Sequence, residues 1–413
     1  MTGRTPPGMA DEPRQPNDAL VKSGTRAFRN TILALFCAGF ATFALLYYVQ
    51  PLLPVFSESF GLGAAQASLA LSVTTGLMAP AMLVAGAISE TLGRKPVMVA
   101  SVLASALLTL ATGFAPSWPA LLALRAAAGI SIAGLPAVAM AYVAEEIAPP
   151  SIGFAMGLYI GGSALGGMAA RLAAGLLADL GSWRWATLAL GAMGIIAGLI
   201  FWRSLPPSRH FSKRPWSARA LAKGFLVHLR EPGLRLLVLE GFLIMGSFVS
   251  IYNYIGYRLL APPFDLTPTG VGLIFSLYLV GIVSSPVTGA VAARLGLRNV
   301  FWVMIAVMSA GVGLTLSGSL PVVIAGIAVL TFGFFGAHSI ASAWVGRRAR
   351  TAKAQAASLY LFLYYVGSSV IGSLGGIFWE RNGWSGVVAL VSLLLAAAFL
   401  ISLRLMRLEP LSS

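Results

Sequence analysis

Twelve long apolar runs, separated by charged or Pro/Gly-rich breaks, constrain this chain more than any other feature. A helix needs about 20 apolar residues to cross a bilayer, with a range of about 17–25. The runs in the first half of the chain cover residues 31–51, 66–88, 97–115, 119–143, 153–178 and 184–202. Those in the second half cover residues 234–256, 268–292, 300–317, 321–345, 355–379 and 384–403. We therefore predict an all-α membrane protein with twelve transmembrane helices, here named spans 1 to 12.

The composition excludes an ordinary soluble protein. Of the 413 residues, 58% are hydrophobic and 10% are charged, against about 45–50% and about 25% in a typical soluble domain. The net charge of +15 does not indicate nucleic-acid binding, because the cations flank the apolar runs and form no basic surface with interleaved aromatic residues. We expect membrane lipids with anionic headgroups to be their partners, and no nucleic acid.

The distribution of Lys and Arg predicts the orientation in the membrane. With both termini in the cytoplasm, most of the 28 Lys and Arg residues fall in cytoplasmic segments, as the positive-inside rule requires. Three fall in segments on the outer side, namely Arg184, Arg258 and Arg381. An even number of spans with cytoplasmic ends accounts for this asymmetry.

The breaks between runs divide the chain into four predicted segments. These are a disordered cytoplasmic tail (1–29), an N-terminal six-helix bundle (30–203), a cytoplasmic linker (204–233) and a C-terminal six-helix bundle (234–413). In the linker, Leu221, Phe225 and Leu229 recur at a spacing of four, which is typical of an amphipathic helix on a membrane surface. A plain flexible tether is the alternative.

A short charged turn occurs twice, at equivalent places in the two halves. The first copy, GAISETLGRK, runs from Gly86 to Lys95, and the second, GAVAARLGLR, runs from Gly289 to Arg298. Parallel repeats of six spans are a recurring transporter plan. Further matches pair Tyr159, Gly161, Ser163, Gly166, Gly175, Asp179 and Trp183 with Tyr365, Gly367, Ser369, Gly372, Gly376, Glu380 and Trp384.

These motifs resemble those of the major facilitator superfamily. The first turn is similar to the family's loop signature between spans 2 and 3, although the family usually has Asp at Glu90 and a cation at Thr91. Arg125 in span 4 resembles a second signature, and the stretches 47–57 and 167–179 resemble bacterial exporters of the drug and sugar efflux branch. The resemblance implies a bacterial inner-membrane protein whose spans 1, 4, 7 and 10 line a central cavity.

The resemblance also implies a gating role for the first turn. Glu90 can lie near the N-terminal end of span 11, where the positive end of a helix attracts a carboxylate. Arg94 can pair with Glu145 at the end of span 4. If these contacts exist only while the inner side is shut, they bias the balance between the outward-facing and inward-facing states. A turn that merely sets the topology is the alternative. The predicted gating residues are Gly86, Glu90, Gly93, Arg94, Lys95 and Glu145.

Ionisable residues inside spans are candidates for substrate recognition or proton coupling, because a charge in a bilayer is costly. The resemblance implies that Arg125 influences proton transfer or substrate binding, and the alternative is a structural bond to carbonyls or to Gln50. Arg171 can pair with Asp179 or Gln50, which favours a structural role. If both arginines face the cavity, the site favours anionic or sugar-like substrates.

Two further ionisable residues lie in the second half. Glu240 in span 7 is a candidate proton carrier, or alternatively a paired residue near the inner interface. His338 in span 10 can also take up protons near neutral pH, although a lone histidine is more often a satisfied hydrogen-bonding residue. The predicted cavity-lining residues are Phe43, Gln50, Ser131, Met245, Phe248, Phe332 and Phe335, whose apolar character suits a permissive pocket.

We predict a secondary active transporter that exports small organic compounds, drug-like or sugar-like, by alternating access with proton antiport. A facilitator or importer of sugars or organic anions is the alternative. A membrane-embedded enzyme or receptor is a third, disfavoured because the sequence has no Ser/His/Asp cluster and no metal-ligand spacing. An ATP-driven pump is disfavoured as well, because it would need a Gly-rich loop with Lys and Ser/Thr that binds phosphate, and the sequence has none. We expect no enzymatic activity, no metal, no cofactor, the proton gradient as energy source, and a monomer.

Overall fold

The computed structural model describes residues 20–211, 225–349 and 353–408. Within these ranges, eleven helical segments are long and apolar enough to cross a membrane. The last of them, Gln355–Arg407, has 53 residues and is interrupted at Gly383, where φ is 57°. It therefore holds both span 11 and span 12. The predicted twelve-span helical architecture is confirmed.

The helical segments follow the predicted runs closely, and most are longer. In the first half they are Arg26–Phe60, Ala64–Leu92, Arg94–Thr112, Trp118–Glu146, Pro149–Leu180 and Trp183–Ser204. In the second half they are Pro232–Leu260, Pro268–Leu295, Leu297–Leu314, Leu320–Arg348, and, around Gly383, residues 353–382 and 384–407.

Span 1 begins earlier than predicted. The Thr25 side chain caps the helix by accepting a hydrogen bond from the Phe28 N–H at 3.1 Å, so the helix starts at Arg26. The last residues of the predicted tail are therefore helical, because a capping threonine satisfies a free N–H of the first turn. Residues 1–19 of that tail lie outside the described residues.

Span 1 also extends further than predicted, through a break. The first helix ends at Tyr47, a 3₁₀ turn covers Gln50–Leu52, and a second helix covers Leu53–Phe60. Pro51 lies at the break and has no N–H with which to continue the α-helical bonding. The break leaves carbonyl groups near Tyr47 available to side chains from other spans.

The repeated turns have the same backbone conformation in both halves. Gly93 between spans 2 and 3 has φ 98°, and Gly296 between spans 8 and 9 has φ 88°. This region of backbone space is readily accessible only to glycine. The sequence repeat is thus matched by a structural repeat at the two turns.

Glycines let backbones approach closely, both inside each half and between the halves. A Cβ on Gly166 would lie 2.0 Å from the Phe40 carbonyl oxygen, in the packing of span 5 on span 1. A Cβ on Gly175 would lie 2.6 Å from the carbonyl oxygen of Pro268, where span 5 meets span 8 of the other half. Small residues at helix contacts are characteristic of membrane bundles.

Spans 1, 4, 7 and 10 form the interior of the molecule. Their most apolar stretches are 67%, 50%, 78% and 50% buried, and those of the other helical segments among the described residues are 33–44% buried. This ranking agrees with the expectation that these four spans surround the centre.

The connection between the halves runs from the end of span 6 at Ser204 to the start of span 7 at Pro232. Residues 225–230 are helical. They include Phe225 and Leu229 of the predicted amphipathic helix, whereas Leu221 and the rest of residues 212–224 lie outside the described residues.

Candidate functional site

The first repeated turn forms a compact charged cluster at one end of the molecule, which we name the motif end. Arg94 donates from Nε to Glu145 at 3.1 Å and from a terminal nitrogen to the other oxygen of that carboxylate at 2.7 Å. Its remaining terminal nitrogen donates to Ser89 Oγ at 2.6 Å. The predicted Arg94–Glu145 pair is confirmed. Glu90 is partly buried and forms no ion pair with any described residue.

The segment after span 6 is bound to this cluster. Glu146 accepts hydrogen bonds from the Arg209 N–H at 2.7 Å and the His210 N–H at 2.9 Å. The Tyr142 hydroxyl donates to the Pro206 carbonyl at 3.0 Å, and Lys95 donates to the Leu205 carbonyl. The start of the linker is therefore held against the turn. The sequence analysis missed Glu146.

A second ion pair lies at the motif end of the C-terminal half. Arg348, the last residue of span 10, donates from Nε to Glu231 at 2.9 Å, and Glu231 also caps span 7 by accepting from the Leu234 N–H. Burial by itself would raise the pKa of Glu231, but the Arg348 guanidinium and the backbone N–H groups lower it below its ordinary value. The sequence signal that we missed is an acidic residue directly before Pro232, typical of a helix start.

The hydrogen bonds between the two halves lie at mid-depth and at the opposite end, which we name the far end. Gln50 donates from Nε2 to the Asn253 side-chain oxygen at 2.9 Å. The Tyr257 hydroxyl donates to the Leu53 carbonyl at 2.9 Å and shares a hydrogen bond with Ser57 at 2.7 Å. These bonds tie span 1 to span 7.

Two carboxylates add a symmetric pair of contacts at the far end. Asp179, at the end of span 5, accepts from the Thr269 hydroxyl at 2.6 Å in the first turn of span 8. Glu380, at the end of span 11, accepts from the Ala65 N–H at 2.9 Å in the first turn of span 2. The two acids occupy equivalent positions of the repeat, so each half contributes one carboxylate to a helix start of the other. We name this pair the far-end latch.

The distribution of these bonds defines a gate. Every hydrogen bond that joins residues of the two halves, within the ranges 20–211, 225–349 and 353–408, lies between mid-depth and the far end. They include the bond from the Ser369 hydroxyl to the Ser72 carbonyl at 2.7 Å. The molecule is therefore closed at the far end, and among the described residues no hydrogen bond joins the cluster around Arg94 to the opposite half. The expectation that the Arg94–Glu145 pair exists only while its end is shut is wrong, because the pair lies within the first half and forms without any such bond.

Arg125 is fully buried and bonded to backbone only. It donates to the carbonyls of Ala70, Leu45 and Leu46, each at 2.9 Å, and its guanidinium lies 5.2 Å from the ring centroid of Tyr48. Two of these carbonyls belong to the helix that breaks at Tyr47. This is the structural alternative of the sequence analysis, in which carbonyls hold the guanidinium.

Arg171 is equally buried but bonds side chains from both halves. It donates to Gln50 Oε1 at 2.7 Å, to the Gly167 carbonyl at 2.8 Å and to the Tyr278 hydroxyl at 3.3 Å. Of its two predicted partners, Gln50 is the actual one, because Asp179 bonds Thr269 instead. Arg171 thus lies at the junction between the halves.

Predicted residues of the C-terminal half meet in an aromatic cluster. His338 Nδ1 shares a hydrogen bond with the Tyr360 hydroxyl at 2.9 Å, and its ring lies 4.7 Å from that of Tyr364. The Tyr360 ring packs directly on Gly241. The neighbouring Glu240 is fully buried, and neither of its carboxyl oxygens has a hydrogen-bond partner in the part of the chain that the structure describes.

Not all predicted cavity residues come together. The rings of Phe248 and Phe335 lie 6.0 Å apart and both contact Tyr278, at 5.4 and 6.0 Å. Phe43 belongs to the N-terminal half, where its ring lies 6.2 Å from that of Tyr47. The remaining predicted residues are Met245, which is buried, and Ser131 and Phe332, whose carbonyls accept hydrogen bonds from Ser101 and Ser284 within their own halves.

The sequence analysis missed the residues that link the halves, chiefly Asn253 and Tyr278. Asn253 occupies the position that the motif repeat, Gly86 against Gly289, assigns to Gln50. Listing the residue that the repeat pairs with each polar residue of span 1 would have identified Asn253. Tyr278 has no such signal, because its position in the 3₁₀ turn of span 8 depends on packing.

Comparison with known proteins agrees with this architecture. The chain is 48% identical to the MFS-type transporter YybF of Bacillus subtilis over 92% of its length and 95% of that protein. It is 47% identical to the inner membrane transport protein YnfM of Escherichia coli, over 95% of its length and 94% of that protein.

Solved structures share the fold at lower identity. A bacterial homologue of the human lysosomal transporter Spinster, in an inward-facing and unoccupied conformation, superposes with a TM-score of 0.75 and 17% identity, over 93% of this chain and 98% of that one. A mutant of the nucleoside transporter NupG gives 0.73 and 14%, over 91% and 99%. The Major Facilitator Superfamily family model matches residues 32–263. Since that match covers more than half of the sequence and the relatives nearly all of it, the chain belongs to the major facilitator superfamily.

Proposed function

We propose that this membrane transporter of the major facilitator type exports small organic compounds in exchange for protons. The proposed working unit is a single chain in a bacterial inner membrane that uses the proton gradient and no cofactor. Its motif end, which carries Arg94 and Arg348, faces the cytoplasm, as the positive-inside rule favours. The relative YnfM is named as an inner membrane protein, which supports this location.

The gate supports transport by alternating access. The hydrogen bonds that join the halves lie from mid-depth to the far end, which supports a state whose central cavity is reached from the motif end. With the motif end in the cytoplasm, this is the state in which an exporter takes up its substrate. Breaking the far-end bonds and forming new ones around Glu90 would give the state that releases it.

Buried Glu240 is the observation that carries the proton-coupling proposal. It lies about 12 Å into span 7 from the motif end, at 1.5 Å per residue, and no described residue forms a hydrogen bond with either of its oxygens. A charged carboxylate in such surroundings is costly. Glu240 therefore binds a proton in the closed interior and releases it when water or a partner reaches it.

His338 and Tyr360 provide a polar connection from this acid toward the centre. The Tyr360 ring packs on Gly241, the residue that follows Glu240, and its hydroxyl shares a hydrogen bond with His338 at 2.9 Å. Both groups can donate and accept. We therefore assign the exchange of protons between Glu240 and the cavity to these two groups.

Everted membrane vesicles test both direction and coupling. Respiration acidifies the vesicle interior, and an exporter should then accumulate a probe inside. The probes are ethidium, arabinose and benzenesulfonate, which represent a cationic drug, a sugar and an organic anion. We expect uptake of at least one, and its loss when a protonophore removes the gradient.

The variant Glu240→Gln separates coupling from substrate movement. We expect it to lose gradient-driven accumulation but to keep exchange of labelled for unlabelled probe. The exposed Glu58→Gln is the matched control and should behave as the wild type. Uptake that is insensitive to the protonophore would indicate a facilitator, and uptake of none of the three probes also contradicts the proposal.

A further inference from the structure

Arg171 is a buried cation whose bonded partners are all neutral. They are an amide oxygen, a backbone carbonyl and a phenolic hydroxyl, from Gln50, Gly167 and Tyr278. The salt bridges within the described part of the chain do not include it. Its position, nine residues before the end of span 5 at Leu180, places it about 14 Å from the far end at 1.5 Å per residue.

Aromatic rings provide the rest of its surroundings. The Arg171 guanidinium lies 4.4 Å from the ring centroids of Tyr47 and Tyr278 and 5.3 Å from that of Phe275. Cation–π contacts stabilise a desolvated guanidinium only in part. A buried cation therefore remains in need of a negative partner, and no described residue bonded to it provides one.

The site lies at the junction between the two halves. Tyr278 belongs to span 8 of the second half, and Gln50 is bonded in turn to Asn253 of span 7. The Tyr278 ring in turn contacts the rings of Phe248 and Tyr252 in span 7. The surroundings of Arg171 are thus shared between the halves, and their faces are largely tyrosine rings.

We propose that Arg171 is the counter-charge for the substrate, and that the substrate is an aromatic monocarboxylate. A carboxylate accepts two parallel hydrogen bonds from a guanidinium, and an aryl body stacks on tyrosine rings. One negative charge is matched because Arg125, the other fully buried arginine among the described residues of this half, is occupied by three carbonyls. That the bound carboxylate is the transported substrate rests on the proposed transport function, whereas its binding at Arg171 does not.

Binding at Arg171 also affects the gate. A carboxylate on the Nε side of the guanidinium replaces Gln50 Oε1, which now holds that position at 2.7 Å. Gln50 then loses the bond that orients its amide toward Asn253, and the inter-half bond at 2.9 Å weakens. The Asn253 amide nitrogen, which has no partner, becomes available to the substrate. A ligand shifts a conformational balance only through such differential contacts.

Thermal shift of the purified protein tests the charge requirement without any gradient. The probes are benzoate, salicylate, phenylacetate and indole-3-acetate, each against its primary amide. We expect at least one carboxylate to raise the melting temperature and its amide to have no effect. Arg171→Gln should weaken carboxylate binding about 10- to 100-fold, because hydrogen bonds to a charged group are lost.

Controls make each outcome decisive. Arg171→Lys should retain part of the affinity, and Arg184→Gln, which removes a surface cation bonded to the carbonyls of Gly113 and Ala115, should retain all of it. Equal shifts by carboxylate and amide, shifts by none of the four acids, or full affinity in Arg171→Gln would overturn the proposal.

Gln50→Glu tests the link to the gate and does not depend on the folding of an Arg171 variant. The substitution supplies the missing carboxylate within the chain and removes the donor to Asn253. We expect it to abolish binding of the added acids. In a Cys37→Ser background, spin labels at Ser117→Cys and Gly318→Cys, one in each half at the far end, should show an increased distance without ligand.

An unchanged label distance, or retained carboxylate binding in Gln50→Glu, would contradict the proposal. The two proposals fail separately. Loss of carboxylate recognition with intact gradient-driven ethidium or arabinose transport refutes the role of Arg171 alone. Carboxylate binding without proton coupling refutes antiport alone.

Discussion

At the scale of single residues, two buried arginines of one half have different roles because their partners differ. Arg125 bonds three backbone carbonyls, which are held by the helices themselves and cannot be exchanged for a ligand. Arg171 bonds side chains of Gln50 and Tyr278, which can rotate away. The first arginine stabilises the break in span 1, and the second is available for recognition.

Arg125→Ala should destabilise the protein by about 3 kcal/mol or more, because three buried carbonyls lose a charged donor. Transport should be impaired as a result of the distorted break near Tyr47. Insertion should persist, since the apolar length of span 4 is unchanged. The measurements are the melting temperature, the amount in the membrane fraction and vesicle uptake. The exposed Arg203→Ala is the control, and a fully active, fully stable Arg125→Ala protein would refute this role.

At the scale of helices, glycines at contacts decide which pairs pack within a half and which meet across the gate. Gly166 faces the Phe40 backbone inside the first half, and Gly175 faces Pro268 and Gly272 of the second half. A glycine inside a half therefore permits the packing of that half, and a glycine between the halves permits the far end to close. A methyl group inside a half opposes folding, whereas one between the halves opposes closure.

Gly175→Ala should open the far end without unfolding the protein. Its Cβ would lie 2.6 Å from the Pro268 carbonyl oxygen and 3.1 Å from the Gly272 Cα, distances that require the spans to separate. The distance between labels at Ser117→Cys and Gly318→Cys should increase. Gly166→Ala should instead lower the melting temperature.

Gly161→Ala, in the same helix with nothing within 4 Å of the added methyl group, should do neither. The same label distance in Gly175→Ala and Gly161→Ala would show that this contact does not control the gate.

At the scale of the whole molecule, the two ends should be coupled because each half contains six packed spans and moves as a unit. The far-end latch joins Asp179 to Thr269 and Glu380 to Ala65. At the motif end, Arg94 and Glu145 form a pair within one half. Closure of that end would bring Glu90 toward the start of span 11.

Cross-linking tests this coupling. In the Cys37→Ser background, Glu90→Cys and Lys353→Cys should cross-link weakly in the state described here. Adding Asp179→Asn and Glu380→Gln removes two charge-assisted contacts at the far end and should raise the yield severalfold. Adding Gly161→Ala should not. A yield that does not respond to loss of the latch would contradict a reciprocal gate.

The sequence by itself determined the number of spans, the repeat and the Arg94–Glu145 pair. Each span is stable in lipid through its own apolar length and internal hydrogen bonds, so its existence can be read locally. Tertiary structure alone decided that Arg171 bonds Gln50 across 121 residues, that Gln50 bonds Asn253 across 203, and that the far end is the closed one. These features depend on how each helix is rotated and packed against its neighbours, and hydropathy carries no information about that rotation.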